Sequence, residues 1–389
     1  MIRKIVSTLL MILWSLSIAR ADVTMTVGYL ELIVPQPPVL SNLQATPDDQ
    51  GLAGAQVGLS DNQTTGKFLK HRYSLETTIV NEGGDIASAA KQLLAKTPYL
   101  IINAPREALI AVADLPEAKN ALLLNVSAPD NALRNGSCRV NVLHTLPSRS
   151  MLSDALAQFA LKKRWTKWAM LYGVLPGDLA FKVALEKSAK KFGIKFVAQK
   201  EWLFTSDMRR NASQEVPLFT QDLPDHDMLI IADEPGDFGR YVLYNTWLPR
   251  PTAGSEGIVP TAWSPSVEQH GAAQLQKRFQ KQKARPMQAI DFAAWAAMRV
   301  IGEAVTRTNT NELQKIRDYI LSDKFQLAGF KGRPLTFRKW NGQLRQPIPL
   351  SHSRAVIANA PLEGFLHKNN ELDTLGLDIR ESSCTSFTE

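Results

Sequence analysis

The stretch "KWAMLYGVLPGDLAFKVALEKSAKKFGIKFVAQ", from Lys167 to Gln199, decides the fold. Trp168–Gly173 is a short apolar run with no helical period, which reads as a buried strand. From Asp178 to Gly193 the period changes. Phe181, Ala184, Leu185, Ser188 and Phe192 fall on one helical face, and Gly193 supplies the stop. Ile194–Gln199 is a second strand. Strand, helix and strand in succession make a crossover unit with parallel strands.

The same cycle runs through the rest of the chain. Ahead of it come a strand at Val23–Leu32, the Pro-rich "VPQPP", a small-residue helix through "GLAGAQVGLSDN" and a strand "YSLETTIV". In the helix "GGDIASAAKQLLAKT", Asp85 is placed to cap, and Ile86, Ala89, Ala90, Leu93 and Leu94 share a face. "YLIINA", "PREALIAVADL" and "ALLLNVS" then read as strand, helix, strand, and "SMLSDALAQFALKKR" as the helix that restarts the cycle. Beyond Gln199 follow the strand "DMLIIAD" and two long helical patterns, "SVEQHGAAQLQKRFQKQK" and "PMQAIDFAAWAAMRVIGEAVTRT". Short apolar strands alternating with helices predict parallel sheets covered on both faces. A chain of 389 residues exceeds what one core usually supports. The prediction is therefore an α/β protein with two doubly wound parallel-sheet lobes.

The first 21 residues read as a cleaved signal peptide: Arg3 and Lys4, an apolar run through Ala19, and an Ala-Arg-Ala site. That run is shorter than the ~20 apolar residues that span a bilayer. Removing Arg3, Lys4 and Arg20 takes the net charge from +8 to +5. Acids and bases are interspersed, and "KRFQKQKAR" (Lys277–Arg285) has the spacing of a solvated helix face, so nucleic acid is a poor fit. Cys138 and Cys384 are the only two cysteines. In an oxidising compartment they are a disulfide candidate, with two free thiols as the alternative.

The motifs of nucleophile, metal and nucleotide chemistry are missing. None of the six histidines has a partner at i+4, no G-x-S-x-G elbow is present, and "SAKK" (Ser188–Lys191) lies inside an amphipathic helix. "TTGKF" lacks the upstream glycine of a phosphate loop, and the glycines of "GLAGAQVG" do not directly follow a strand. No enzyme, metal or cofactor is expected. Parallel α/β sheets instead bind ligands outside the carboxyl ends of their strands. That rule collects Tyr29 and Glu31; Ala104, Arg106 and Glu107; Asn125 and Ser127; Tyr172; Asp233 and Glu234; and Thr261 and Trp263. Asp233 and Glu234 follow the strand Met228–Ala232, and three roles stay open for them: lining a ligand site, capping or solvation, and catalysis. Adjacent strand residues point to opposite faces, so joint action would need a turn at Pro235-Gly236. Arg106 has the shape to grip a carboxylate or phosphate; otherwise it pairs with Glu107 or begins a helix. Tyr172 and Trp263 either stack on a ligand or pack the interior.

The order of elements resembles the type I periplasmic substrate-binding proteins of ABC transporters, the group that includes the branched-chain-amino-acid receptors. The likeness rests on "LIINAP", "KWAMLYG…FGIKFV", "AIDFAAWAAMRVIGEAVTRT" and "FKGRPLTFRKWNGQLRQP", and covers essentially the whole mature chain. "NVLHTLPSRSMLSDALAQF", "GFLHKNNELDTLGLD" and the late cysteine resemble one subgroup, encoded with pyrroloquinoline-quinone (PQQ)-dependent alcohol dehydrogenase systems. The resemblance implies a periplasmic, non-enzymatic binder of a small molecule that serves an inner-membrane ABC permease. A quinoprotein dehydrogenase is a further partner it brings into view. A periplasmic sensor or assembly factor for that dehydrogenase is the alternative. It also implies three crossovers, near Leu143–Ser150, Ile258–Ser264 and Gly329–Phe337, which put lobe one at about 22–145 plus 265–332 and lobe two at 146–264 plus 333–389. A Cys138–Cys384 bridge would tie the tail near the first crossover.

Carried over residue by residue, Ser127 matches a hydroxyl that holds a ligand carboxylate. Arg106 and Glu107 put charge where the family usually has a hydroxyl. Tyr172-Gly173 replaces an acidic turn with a pair that touches ligand, and Asp233 or Glu234 is left to hold a cation. These departures argue against a plain α-amino acid. Ser148 and Arg149 fall at the first crossover, where a hinge role competes with ligand contact.

Overall fold

A computed structural model describes residues 23–35, 46–202 and 211–387; the expected signal peptide lies outside them. The first lobe is built on strands β1 (Val23–Leu32), β2 (His71–Val80), β3 (Tyr99–Asn103), β4 (Leu122–Asn125) and β5 (Val142–His144). They form one parallel sheet in the order β2-β1-β3-β4-β5. Helices α1 (Leu52–Leu69), α2 (Ile86–Leu94) and α3 (Arg106–Ala113) connect them. Asp85 caps α2 as expected, its Oδ1 accepting the Ser88 N–H at 3.0 Å.

The second lobe repeats the plan with α4 (Arg149–Lys162), β6 (Lys167–Tyr172), α5 (Pro176–Phe192), β7 (Lys195–Glu201), α6 (Ala212–Thr220), β8 (Met228–Ala232), α7 (Gly239–Val242) and β9 (Thr252–Gly254). Its sheet is also parallel, in the order β7-β6-β8-β9. β3, β4 and β8 are apolar along their buried length, except for the Asn125 that ends β4, because both faces of each sheet carry helices. Each lobe accordingly holds two apolar clusters, one per sheet face.

After β10 (Val259–Pro260) the chain returns to the first lobe. It supplies α8 (Ala272–Lys283), α9 (Ala289–Thr308) and α10 (Leu313–Leu321), then the small antiparallel sheet β11 (Leu327–Ala328), β12 (Pro334–Phe337) and β13 (Leu344–Arg345). Leu335, Phe337 and Leu344 pack with the first lobe, whereas Ile348 and Leu350 pack with the second. The third passage between lobes therefore lies between Leu344 and Ile348, later than Gly329–Phe337. β14 (Ile348–His352) and β15 (Ala355–Ala360) then join β10 in an antiparallel sheet. α8 starts at Ala272 rather than Ser266, because His270 and Gly271 adopt left-handed backbone (φ 56° and 80°) that no α-helix continues.

The glycines of "GLAGAQVG" serve helix packing. A Cβ on Gly54 would stand 1.9 Å from the Asp291 carbonyl oxygen, so α1 lies against α9 at a spacing only glycine permits. A disulfide links Cys138 to Cys384 across 246 residues and fastens the tail to the segment leading into β5.

Candidate functional site

The carboxyl ends of both sheets carry most of the residues selected from the sequence. In the first lobe, the Ser127 hydroxyl donates to the Ala104 carbonyl at 3.1 Å and joins the ends of β3 and β4. Buried Asn125 accepts the N–H groups of Ser127 and Ala128 and turns the chain at that point. The Asn103 amide donates to the Tyr29 hydroxyl at 3.0 Å, and that hydroxyl donates to Glu31 at 2.9 Å. Burial raises the pKa of both Glu31 and Tyr29.

In the second lobe the adjacent acids take opposite roles. Asp233 is 1% exposed. Its Oδ1 accepts the Asp237 N–H at 2.9 Å, and its Oδ2 accepts those of Phe238 and Gly239 at 2.8 and 2.6 Å. This side chain caps the turn that opens α7, buried and held by three backbone donors. Glu234, one residue on, faces Arg149. Nε and Nη2 each meet one carboxylate oxygen at 2.7 Å, a bidentate pair. Nη1 of the same guanidinium reaches Asp130 Oδ1 at 3.1 Å. Asp130 follows β4 of the first lobe, while Glu234 follows β8 of the second. Arg149, buried at the start of α4, thus clamps the two lobes at their first crossover. Burial alone would lower its pKa; Glu234 and Asp130 outweigh that and raise it.

Asp178 supports the clamp from below by accepting the Glu234 and Leu175 N–H groups at 2.7 and 3.2 Å. Burial pushes its pKa up to about 6. A Cβ on Gly177 would come 2.7 Å from Glu234 Oε2, so the "PG" turn at the head of α5 leaves the space this carboxylate fills. Tyr172 ends β6 half-buried, with the Lys182 ammonium 5.1 Å from its ring centroid.

Two selected residues stand elsewhere. Arg106 opens α3 on the surface and pairs with its neighbour Glu107 at 2.8 Å. Trp263 is buried, stacks on Phe292 with centroids 4.9 Å apart, and donates its indole N–H to Gln276. Sequence reasoning missed Asp130, Asp178 and Glu256. Glu256 is half-buried two residues past β9, and burial followed by Asp233 raises its pKa. The strand-end rule reaches Glu256 only if β9 is recognised, and "TAG" carries no strand signal.

The chain matches no protein-family model and no curated protein sequence. It does match solved structures over nearly its whole length. A branched-chain amino acid ABC transporter periplasmic ligand-binding protein from Burkholderia xenovorans LB400 aligns at TM-score 0.70 and 15% identity, over 93% of this chain and 100% of that one. This is the type I periplasmic binding protein fold. A periplasmic binding protein from Burkholderia mallei aligns at TM-score 0.66 and 14% identity, over 94% and 99% of the two chains. The branched-chain amino acid transporter substrate-binding protein of Streptococcus pneumoniae, solved in complex with isoleucine, aligns at TM-score 0.62 and 14% identity, over 86% and 98%. Identities this low establish the periplasmic binding protein fold of the chain and leave its ligand to its own residues.

Proposed function

We propose that the protein is a non-enzymatic, periplasmic solute-binding component of an ABC transport system, exported by its N-terminal signal. It takes a small polar ligand between its lobes and presents the closed form to an inner-membrane permease. The observation that carries this reading is the Arg149 clamp. A bidentate arginine joins the carboxyl edges of two parallel sheets, where such folds bind ligands and where closure must be registered. A ligand contributes only by favouring the closed arrangement over the open one.

In this reading Ser127 and Tyr172 offer hydroxyls from the two lobes, and Glu234 with Glu256 favours a ligand carrying a cationic or hydrogen-donating group. Arg106 serves as an outer anion contact, Trp263 holds the second crossover, and Asp233 shapes the turn that aims Glu234. The stretches that resemble the PQQ-associated subgroup support a finer version, in which the ligand is a substrate, product or cofactor-related compound of periplasmic alcohol oxidation.

A thermal-shift screen of mature, refolded protein against amino acids, short carboxylates, alcohols, aldehydes and quinone-related compounds tests the reading. Ligand at a hundredfold over its Kd stabilises by about 2.7 kcal/mol, a shift of several degrees. A hit that Glu234→Gln weakens supports it. A flat response from folded protein, together with a pull-down that recovers dehydrogenase and no permease, replaces it with the assembly-factor reading.

A further inference from the structure

A cavity of about 500 Å³ that none of Ser127, Tyr172, Asp233 or Glu234 lines lies between the lobes, walled by Trp263, Val267 and Lys331 of the first lobe and by Arg354, Val356 and Ala358 around β15 of the second. Lys331 makes this cavity unlike a surface groove. It is 6% exposed, and no carboxylate stands within ion-pair distance of it among the described residues. Its ammonium donates to Gln346 Oε1 at 2.7 Å and to the Pro347 carbonyl at 3.1 Å, and stands 4.5 Å from the Phe292 ring centroid. An ammonium has three hydrogens to give, and here two go to neutral oxygens. A buried charge with only neutral partners is costly, and burial accordingly drives this lysine well below its ordinary pKa.

Proteins rarely bury a lysine without a counter-ion, and this one lines a space with room for a small organic molecule. The other walls offer the Trp263 ring, Val267, Val356 and Ala358 beside the polar Ser266, Gln269, His270 and Asn359, with Arg354 at the exposed rim. Glu268 is the acid on the lining, and it is exposed. The chemistry that fits is a carboxylate on an apolar body.

Position gives the cavity a second property. Gln346 lies in the third passage between lobes and donates its Nε2 to the Thr145 carbonyl, in the first passage, at 2.8 Å. Trp263 belongs to the second. All three connections between the lobes therefore meet around Lys331 and its partners.

We propose that this hinge-side cavity is a second ligand site, which takes a small carboxylate with an apolar body as the counter-ion of Lys331 and thereby sets the balance between open and closed lobes. The site is independent of the cleft ligand, and it is tested without one. Benzoate is the probe and benzyl alcohol its uncharged control, both titrated calorimetrically into the mature chain. Benzoate binds with a 1:1 plateau. Lys331→Met, which replaces a buried charge by an apolar chain of similar length, lowers benzoate affinity by about tenfold or more, the scale of one lost charge-assisted contact. Val356→Trp, which fills the cavity from the second lobe, abolishes binding and separates this site from any benzoate taken by the cleft. Small-angle scattering of native protein then shifts on benzoate addition. Absence of binding at millimolar benzoate overturns the proposal, as does equal binding of benzyl alcohol or of the Val356→Trp protein. Unchanged scattering at saturation overturns its hinge part.

Discussion

Replacing Asp233 and Glu234 in turn separates two carboxylates that are neighbours in sequence and unlike in structure. Asp233→Ala removes the acceptor for three backbone N–H groups, those of Asp237, Phe238 and Gly239. At about 1 kcal/mol per bond, the low end for a charged acceptor because α7 is a single turn whose freed N–H groups partly reach water, the loss is about 3 kcal/mol. For a chain of 389 residues, an unfolding entropy of about 2.1 cal/mol/K per residue gives about 0.8 kcal/mol/K, so Tm falls by about 4 °C. Glu234→Gln keeps its shape on a partly exposed side chain and costs much less. Guanidinium denaturation followed by circular dichroism measures both losses, and titration with any ligand found in the screen measures both affinities. The expected pattern is a crossed one: Asp233→Ala loses about 3 kcal/mol of stability and keeps most of its affinity per folded molecule, while Glu234→Gln loses about 1 kcal/mol of stability and most of its affinity. A stable Asp233→Ala protein that no longer binds would refute the cap assignment and return Asp233 to the ligand.

Arg149→Met and Glu234→Gln, combined in a double-mutant cycle, should couple by about 1–3 kcal/mol, because each single change strands a bidentate partner; additivity would show the pair to be energetically idle. Cys138→Ser with Cys384→Ser opens a loop closed over 246 residues, and the chain-entropy value of about 5 kcal/mol predicts a Tm lower by about 6 °C; calorimetry of oxidised and double-variant protein checks it. Acid should destabilise the fold through His144, whose pKa burial and then Arg134 hold well below its ordinary value. Above about pH 6.5 neither state is protonated and the group is neutral to stability; below it the unfolded chain takes a proton the folded one refuses, and stability falls by about 1.4 kcal/mol per pH unit. Asp178, raised to about 6, acts in the other direction: its contribution is present below about pH 4 and is lost as pH rises through 6. His144→Asn should therefore flatten the fall in denaturation midpoint between pH 6.5 and 5, and an unaltered slope would remove His144 as its source.

Lys167–Gln199 alone reads as a crossover unit, and its two strands and one helix occur within two residues of the expected limits. The same holds for β1, β3 and β8, and α9 starts three residues late at Ala289, because side-chain patterning is a local property that burial on a sheet face amplifies. β5 and β9, three residues each, carry too few side chains to show a period. α8 starts later than its composition suggests because the left-handed His270-Gly271 pair, which the side-chain pattern does not reveal, stands between Ser266 and the helix.

For the site, the sequence by itself determined where to look: the residues just past buried strands, with Ser127, Tyr172 and Glu234 among them. Their partners were decided by the tertiary structure. Arg149 meets Glu234 across 85 positions, and Lys331 is buried beside a glutamine from the next crossing. Asp233 and Glu234 diverge only because the chain after β8 folds its own N–H groups back onto one of them. Patterning fixes which residues are inside, since hydrophobic burial is additive along each element. Hydrogen-bond and ion-pair partners depend on distances that exist only once the elements have been brought together.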